Sequence, residues 1–305
     1  MTACPVCGEN ASAPVAGPFR EWRYVRCAGC AHCRLIPMPG EDYLGAYYNS
    51  AYRVPPERYF AAARREVPLV RRMLARRHSS RGCLLEVGAS YGAMLAALRD
   101  DGWDVIGTEL DRRAAEQAHA RYGIDVRFEA LAVVPDKGPL DAVVLFHVIE
   151  HLPEPEAFLV ALRAQLKRGG TLLLKTPNGG SWLAEHVQGW WEWFAPPEHV
   201  HVFSPVSLDL VLKRAGFVPD YTTTRLGDAH PVTFELLRVG ARRALGRGGE
   251  AWPPASGGLP PSQRAWYAAA LESIRLATWP LEALLERAWA RRLRGPELLV
   301  AARAV

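Results

Sequence analysis

Leu84-Leu85-Glu86-Val87-Gly88-Ala89-Ser90-Tyr91-Gly92 runs an apolar segment into a turn carrying two glycines, and Ala93–Arg99 continues with helical spacing. A strand, a glycine turn and a helix in that order let a ligand approach the backbone closely at a helix N-terminus. The three-glycine spacing of a dinucleotide turn is absent, because position 90 is serine, and the stretch reads E-x-G-x-x-x-G. Glu86, a carboxylate at the strand end, would repel a pyrophosphate and attract a ligand carrying an ammonium group.

Outward from this turn, short apolar runs alternate with helical stretches. Strands are predicted at Cys83–Val87, Asp104–Gly107, Val126–Phe128, Ala142–Phe146 and Thr171–Leu174, with helices at Ala93–Arg99, Arg112–Tyr122 and Glu156–Leu166. That alternation is the signature of a doubly wound α/β domain with a parallel sheet. Lys167-Arg168-Gly169-Gly170 reads as the C-terminal end of the last of these helices, cations then glycine. Ser204-Pro205 opens another helix with Ser204 as N-cap. Glu109, about twenty residues beyond Gly88, stands at the end of the second strand, where an acid accepts from ribose hydroxyls. The alternative, an acid at the next helix N-terminus, is better filled by Asp111. Glu129 after the third strand suits either an adenine amino group or a plain surface carboxylate.

Cys4-Pro-Val-Cys7 and Cys27-Ala-Gly-Cys30 form two C-x-x-C knuckles separated by residues 8–26. The spacing falls in the range of four-cysteine zinc sites, and so short a segment needs a staple to fold. Four thiolates leave no open coordination position, so Cys4, Cys7, Cys27 and Cys30 are expected to hold a structural zinc ion. Cys33 and His32 are read as non-ligands, with Cys33 the one cysteine nearby that could replace a knuckle cysteine, and Cys83 as a core thiol.

The expected organisation is a zinc-binding module over 1–40, a helical connector or lid over 41–80, a ligand-binding domain over 81–227, a helical insertion over 228–293 and a last strand over 294–305. The insertion contains a Pro/Gly-rich loop (Trp252–Pro261) and helical stretches Ser262–Thr278 and Leu281–Leu293, broken near Pro280. Trp266, Ile274, Leu281, Leu285 and Trp289 give it an apolar stripe. Core packing or a homodimer contact is the plain reading of that stripe, and a lid or membrane-surface contact the sharper one.

The 305 residues are 49% hydrophobic with a net charge of +5, enough for one sizeable core plus an appendage. Much of the excess is arginine between Arg53 and Arg81. No recognised binding motif interleaves it, which disfavours a nucleic-acid partner. No apolar run approaches a membrane span, and the N-terminus has no signal-peptide pattern, so a cytoplasmic location is the default expectation.

Residues 83–218 resemble the class I S-adenosylmethionine-dependent methyltransferases. The matching pieces are Glu86–Gly92, Glu109, His147-Val148-Ile149-Glu150-His151-Leu152, and Pro196-Pro197-Glu198-His199-Val200-His201-Val202-Phe203-Ser204. The resemblance implies a mostly parallel seven-stranded sheet and S-adenosylmethionine as cofactor. It puts Glu86 and Gly88 at the methionine moiety, Glu109 at the ribose and His147 in the cofactor pocket. Ala89, Gly92, Leu110 and Glu129 complete the expected cofactor-binding set. The cysteine module followed by Tyr47-Tyr48 resembles a subgroup from natural-product and deoxysugar pathways, notably sugar C-methyltransferases. By that likeness Glu198, His199 and His151 match active-site positions, with His199 as general base. Those enzymes generally continue into a further C-terminal domain, whereas here residues 228–293 precede the last strand.

A sulfonium donor already carries its leaving group, so the protein must align the acceptor and, for weak nucleophiles, remove a proton. The expected activity is C- or O-methyl transfer to a small-molecule acceptor such as a sugar, polyketide or cell-envelope metabolite. A zinc-containing RNA methyltransferase is disfavoured because the Asn/Asp-Pro-Pro-aromatic turn is missing after the fourth strand. A non-enzymatic zinc adaptor is disfavoured because the glycine turn and Glu109 are intact.

Overall fold

The computed structural model describes residues 3–50, 56–128, 138–226, 232–244 and 261–305. Glu129, residues 252–260 of the expected loop and the side chain of Trp266 lie outside what it describes.

The chain opens with β1 (Ser12–Phe19), β2 (Trp22–Cys27) and β3 (Cys33–Ile36), paired antiparallel in sequence. On β2 Trp22 and Tyr24 are buried while Arg23 between them is exposed, the period-2 pattern of a strand with one covered face. Next come α1 (Glu41–Ser50) and α2 (Pro56–Ala75). In α2 Val67, Val70 and Leu74 recur at three- and four-residue spacing and are buried, which docks the helix as an amphipathic element.

The α/β alternation then runs β4 (Cys83–Val87), α3 (Ala93–Asp100), β5 (Asp104–Glu109), α4 (Arg112–Tyr122), β6 (Val126–Phe128), β7 (Leu140–Phe146), α5 (Pro155–Gln165) and β8 (Leu166–Pro177). Asp111 caps α4, accepting from the Arg113 amide at 3.0 Å. After β8 come α6 (Trp182–His186), β9 (His201–Val202), α7 (Pro205–Arg214), β10 (Phe217–Arg225), α8 (Val232–Ala244), α9 (Pro261–Arg292) and β11 (Glu297–Ala304). Among the described residues no helix is long and apolar enough to cross a membrane.

Seven strands form one sheet in the order β10-β11-β8-β7-β4-β5-β6. The pairs β4–β5, β4–β7, β5–β6 and β7–β8 are parallel. The winding direction reverses beside β4, and a ligand of such a sheet binds at that switch point, outside the carboxyl ends of the strands. This is the doubly wound, Rossmann-like sheet expected of a class I methyltransferase. A second, four-stranded sheet has the order β1-β2-β3-β9.

The chain forms two compact units. One comprises Met1–Leu44, Pro177–Leu208 and Thr223–Leu298; the other comprises Gly45–Thr176, Asp209–Thr222 and Leu299–Val305. In the first, the cysteine-rich N-terminus completes its core with residues more than 150 positions away. The Tyr24 ring lies 4.7 Å from that of Phe194, and its hydroxyl donates to the His199 carbonyl at 2.5 Å. Ser204, whose hydroxyl caps α7 by accepting from Ser207 at 3.0 Å, also donates to the Cys30 carbonyl at 2.6 Å. In the second, α2, α3 and α4 pack with the strands around Leu84, Leu95, Leu98, Ile124 and Val144.

Two local readings differ from the sequence expectation. Leu166 ends α5 and begins β8, so Gly169 and Gly170 do not terminate a helix. They lie in the register shift between Leu140↔Leu166 and Ala142↔Thr171, where Gly169 takes φ +80°. A bulge uses glycine for the same reason a helix end does, a positive φ without Cβ strain, so the two read alike in sequence. Helix α9 also runs unbroken through Pro280. Proline removes one hydrogen bond, to the carbonyl of Leu276, and that residue is 70% exposed, so water can satisfy it.

Candidate functional site

At the carboxyl end of β4 the chain takes φ +73° at Gly88, +46° at Ser90 and +72° at Gly92. A Cβ at Gly88 would meet the Val148 Cγ2 at 2.7 Å, and one at Gly92 the Ala118 Cβ at 2.9 Å. Glycine is therefore required at both positions by space as well as by φ. The Gly88 and Ala89 amides donate to the Thr108 carbonyl at 2.9 and 3.0 Å, tying the turn to β5.

The Glu109 carboxylate at the end of β5 closes this turn. One oxygen accepts from the Ser90 amide at 2.8 Å; the other accepts from Leu110 at 2.7 Å and Asp111 at 2.8 Å. Burial raises its pKa, and the three amides oppose that rise. A carboxylate offers about four lone-pair sites. Three are used, so Glu109 accepts one more hydrogen bond without giving up an amide. The sequence signalled an acid at the strand end for the ribose but carried no sign of this internal role.

Glu86 is 5% exposed, and among the described residues its Oε2 has no hydrogen-bond partner. Burial, then the Glu66 and Glu109 carboxylates, push its pKa well above the carboxylate range. A buried acid with an unsatisfied oxygen fits a ligand that brings a donor or a positive charge.

His147, just after β7, adopts φ +54° and is held there by its amide, which donates to the Lys175 carbonyl at 2.8 Å. Its Nδ1 is 3.3 Å from Glu150 Oε1, and Glu150, fully buried, accepts on its other oxygen from the Thr176 hydroxyl at 2.9 Å. Sequence reading assigned no role to Glu150, although its i,i+3 spacing from His147 was the available signal. His151 ends the short 3-10 turn Ile149–His151 and is half-buried.

The remaining expected residues belong to the first unit. His199 is 6% exposed, its ring stacked on Trp193 at 5.5 Å and 17°. His199 Nδ1 lies 2.8 Å from the Trp193 carbonyl oxygen. A carbonyl only accepts, so Nδ1 carries the proton and Nε2 is the basic nitrogen of the neutral ring. Glu198 beside it is half-buried. Of the aromatic run before them, Trp191 and Phe194 are core residues and Trp193 serves the histidine.

The Sγ atoms of Cys4, Cys7, Cys27 and Cys30 all lie within 4.8 Å of one another, with Cys4–Cys30 at 3.7 Å and Cys7–Cys27 at 3.4 Å. Sulfurs about 2.3 Å from a tetrahedral zinc ion are spaced by roughly 3.8 Å, so the donor set fits that metal. Each knuckle is closed by an amide returning to its first cysteine, Gly8 to Cys4 at 2.9 Å and Ala31 to Cys27 at 3.1 Å. Burial raises the Cys4 and Cys30 thiols. For Cys27 burial acts upward too, but the Cys30 amide, the Cys7 thiol and the Gly29 amide bring it down to about 7. Cys33 is buried on β3, outside this cluster.

Comparison with known proteins agrees with the sheet. A family model described as a methyltransferase domain matches residues 57–221, more than half of the chain. The ubiquinone biosynthesis O-methyltransferase of Idiomarina loihiensis is 33% identical over 121 residues, 35% of this chain and 50% of that protein. Its Cereibacter sphaeroides counterpart is 29% identical over 158 residues, 44% of this chain and 63% of that one. The chain thus spans between half and two thirds of these relatives. A Galdieria sulphuraria structure described as a candidate sarcosine dimethylglycine methyltransferase superposes with a TM-score of 0.52 at 13% identity, covering 78% of this chain and 85% of that one. At that identity the likeness speaks for the fold alone.

Proposed function

The chain belongs to the methyltransferase-domain family, and from that premise we propose that it transfers a methyl group from S-adenosylmethionine to a small-molecule acceptor. The observation that carries this reading is the turn after β4, with its two obligatory glycines and the buried, unsatisfied Glu86 oxygen. Glu86 would take the methionine ammonium, Gly88 and Ala89 would admit the ligand to the backbone, and Gly92 would start α3 close behind it. Glu109 would hold one ribose hydroxyl, with Leu110 and His147 lining the pocket. When bound, the cofactor supplies an activated methyl group. An oxygen acceptor is favoured by the names of the curated relatives, and a natural-product or cell-envelope metabolite by the cysteine module. His199 Nε2 takes the acceptor proton, with His151 and Glu198 as acceptor-positioning groups. The four cysteines hold a structural zinc ion.

Isothermal titration with S-adenosylhomocysteine tests the cofactor reading, and pH sharpens it. The Glu86 pKa is raised, so its carboxyl is protonated over a range where an exposed glutamate is already ionised. An ammonium partner favours the ionised form. Binding should therefore release a proton below the raised pKa, and affinity should fall as pH drops, by up to about tenfold per pH unit. Heats measured at one pH in two buffers of different ionisation enthalpy read the released proton directly, and Glu86→Gln should abolish it. Binding without proton release would remove Glu86 from the ammonium site.

Glu109→Ala removes the ribose acceptor together with the anchor of three turn amides. Charge-assisted hydrogen bonds contribute about 1.5–3 kcal/mol each, so affinity should fall at least about tenfold. Unchanged affinity in a folded variant would exclude this carboxylate from the cofactor site.

A further inference from the structure

Helix α3 has Gly92 as its N-cap, a residue with no side chain to cap it. The cap comes from α2. Tyr59 Oη accepts from the Ala93 amide at 2.9 Å and donates to the Ala89 carbonyl at 3.1 Å. One hydroxyl thus bridges the two ends of the Ala89–Ala93 segment, whose middle contains Ser90 at φ +46°. A non-glycine residue at that φ persists only where its surroundings hold it. The Tyr59 ring also lies 5.5 Å from that of Tyr91, within the same turn. Burial, then the Glu86 carboxylate, push the Tyr59 hydroxyl well above its ordinary range, so it stays protonated and able to donate.

We propose that Tyr59 is a positioning residue for the cofactor, its hydroxyl clipping the Gly88–Gly92 turn into the shape that receives S-adenosylmethionine. The inference rests on the assignment of that turn to the cofactor. Helix α2 has a separate anchor two turns on, where buried Lys175 donates to Glu66 and the Val67, Val70 and Leu74 face joins the core. Removing the Tyr59 hydroxyl therefore loosens the turn without releasing the helix. The aromatic ring is retained in Tyr59→Phe, and so is its packing on Tyr91.

The test is titration of the full chain with S-adenosylhomocysteine, together with steady-state kinetics in the cofactor and amide hydrogen exchange. Tyr59→Phe is expected to weaken binding roughly tenfold, since two hydrogen bonds are lost. The KM for S-adenosylmethionine should rise by a similar factor while kcat at saturation stays close to wild type. Amides 88–93 should exchange faster, with those of the α2 core residues unchanged. A merely structural tyrosine would lower the melting temperature without this KM-against-kcat split. If Tyr59→Phe does not fold, hydrogen exchange in the wild-type chain decides: the Ala93 amide should be protected from exchange, and more so with S-adenosylhomocysteine bound, whereas an unprotected Ala93 amide would overturn the clip. Wild-type protein that fails to bind S-adenosylhomocysteine overturns the cofactor assignment itself. Wild-type binding with equal affinity in the folded variant overturns the role of Tyr59 alone.

Discussion

His199→Ala is expected to lower turnover by about 10²–10⁴-fold, the range for loss of a general base, while cofactor affinity stays near its wild-type value. The argument starts from the ring's surroundings. Nδ1 is committed to the Trp193 carbonyl at 2.8 Å and the ring face to the Trp193 indole, so one tautomer is held with Nε2 basic. A base so oriented need not pay the cost of choosing its tautomer in each turnover. Glu198→Gln should lose less, since that carboxylate is assigned to holding the acceptor. Single-turnover methyl transfer measured across pH decides the matter. The wild-type rate should rise with pH through the ionisation of the base, and the variant should lack that limb. A variant that keeps both rate and profile would show that alignment alone drives the reaction and that His199 is structural.

The second large effect is loss of the metal. Freshly reduced protein should contain about one zinc ion per chain, and Cys27→Ser or chelation should cost the first unit, which carries His199, its fold. Structural zinc sites contribute on the order of 10–16 kcal/mol of apparent binding energy in small finger peptides, far above the effect of a typical core substitution. Here the knuckles also anchor a larger structure. The Cys30 carbonyl accepts from Ser204, and Cys33 on the adjoining β3 pairs with Val202 of β9. Thermal unfolding with and without chelator, read by the buried Trp22 and Trp191, measures the loss. Acid should act in the same direction, because the ligands bind as thiolates and the Cys4 and Cys30 thiols are raised by burial. Metal analysis that finds no zinc would exclude the site, and the four cysteines would then be ordinary thiols.

The local chemistry of this chain was legible in its sequence because it is carried by neighbours along the backbone. Alternation of apolar runs and helical spacing predicted the parallel sheet, since side-chain period follows directly from backbone geometry. The glycine turn after β4 and the two cysteine knuckles were readable for the same reason: each is a contiguous segment whose φ values and ligand spacing are set within a few residues. What only the tertiary structure decided depends on partners far apart in the chain. Nothing around Tyr59 marks it as the cap of a helix thirty-four residues later, because the glycine it serves is silent about its missing cap. Glu109 read as a ribose acceptor, yet besides its neighbours' amides at Leu110 and Asp111 it also holds the Ser90 amide, which comes within reach only once β5 lies beside the turn. The N-terminal module looked self-contained. It completes its sheet and core with residues 177–208, because a short cysteine-rich segment has too few apolar side chains to bury its own strands. Hydrophobic burial is non-directional and indifferent to chain order, so covalent sequence specifies which faces must be covered, and only the folded chain selects what covers them.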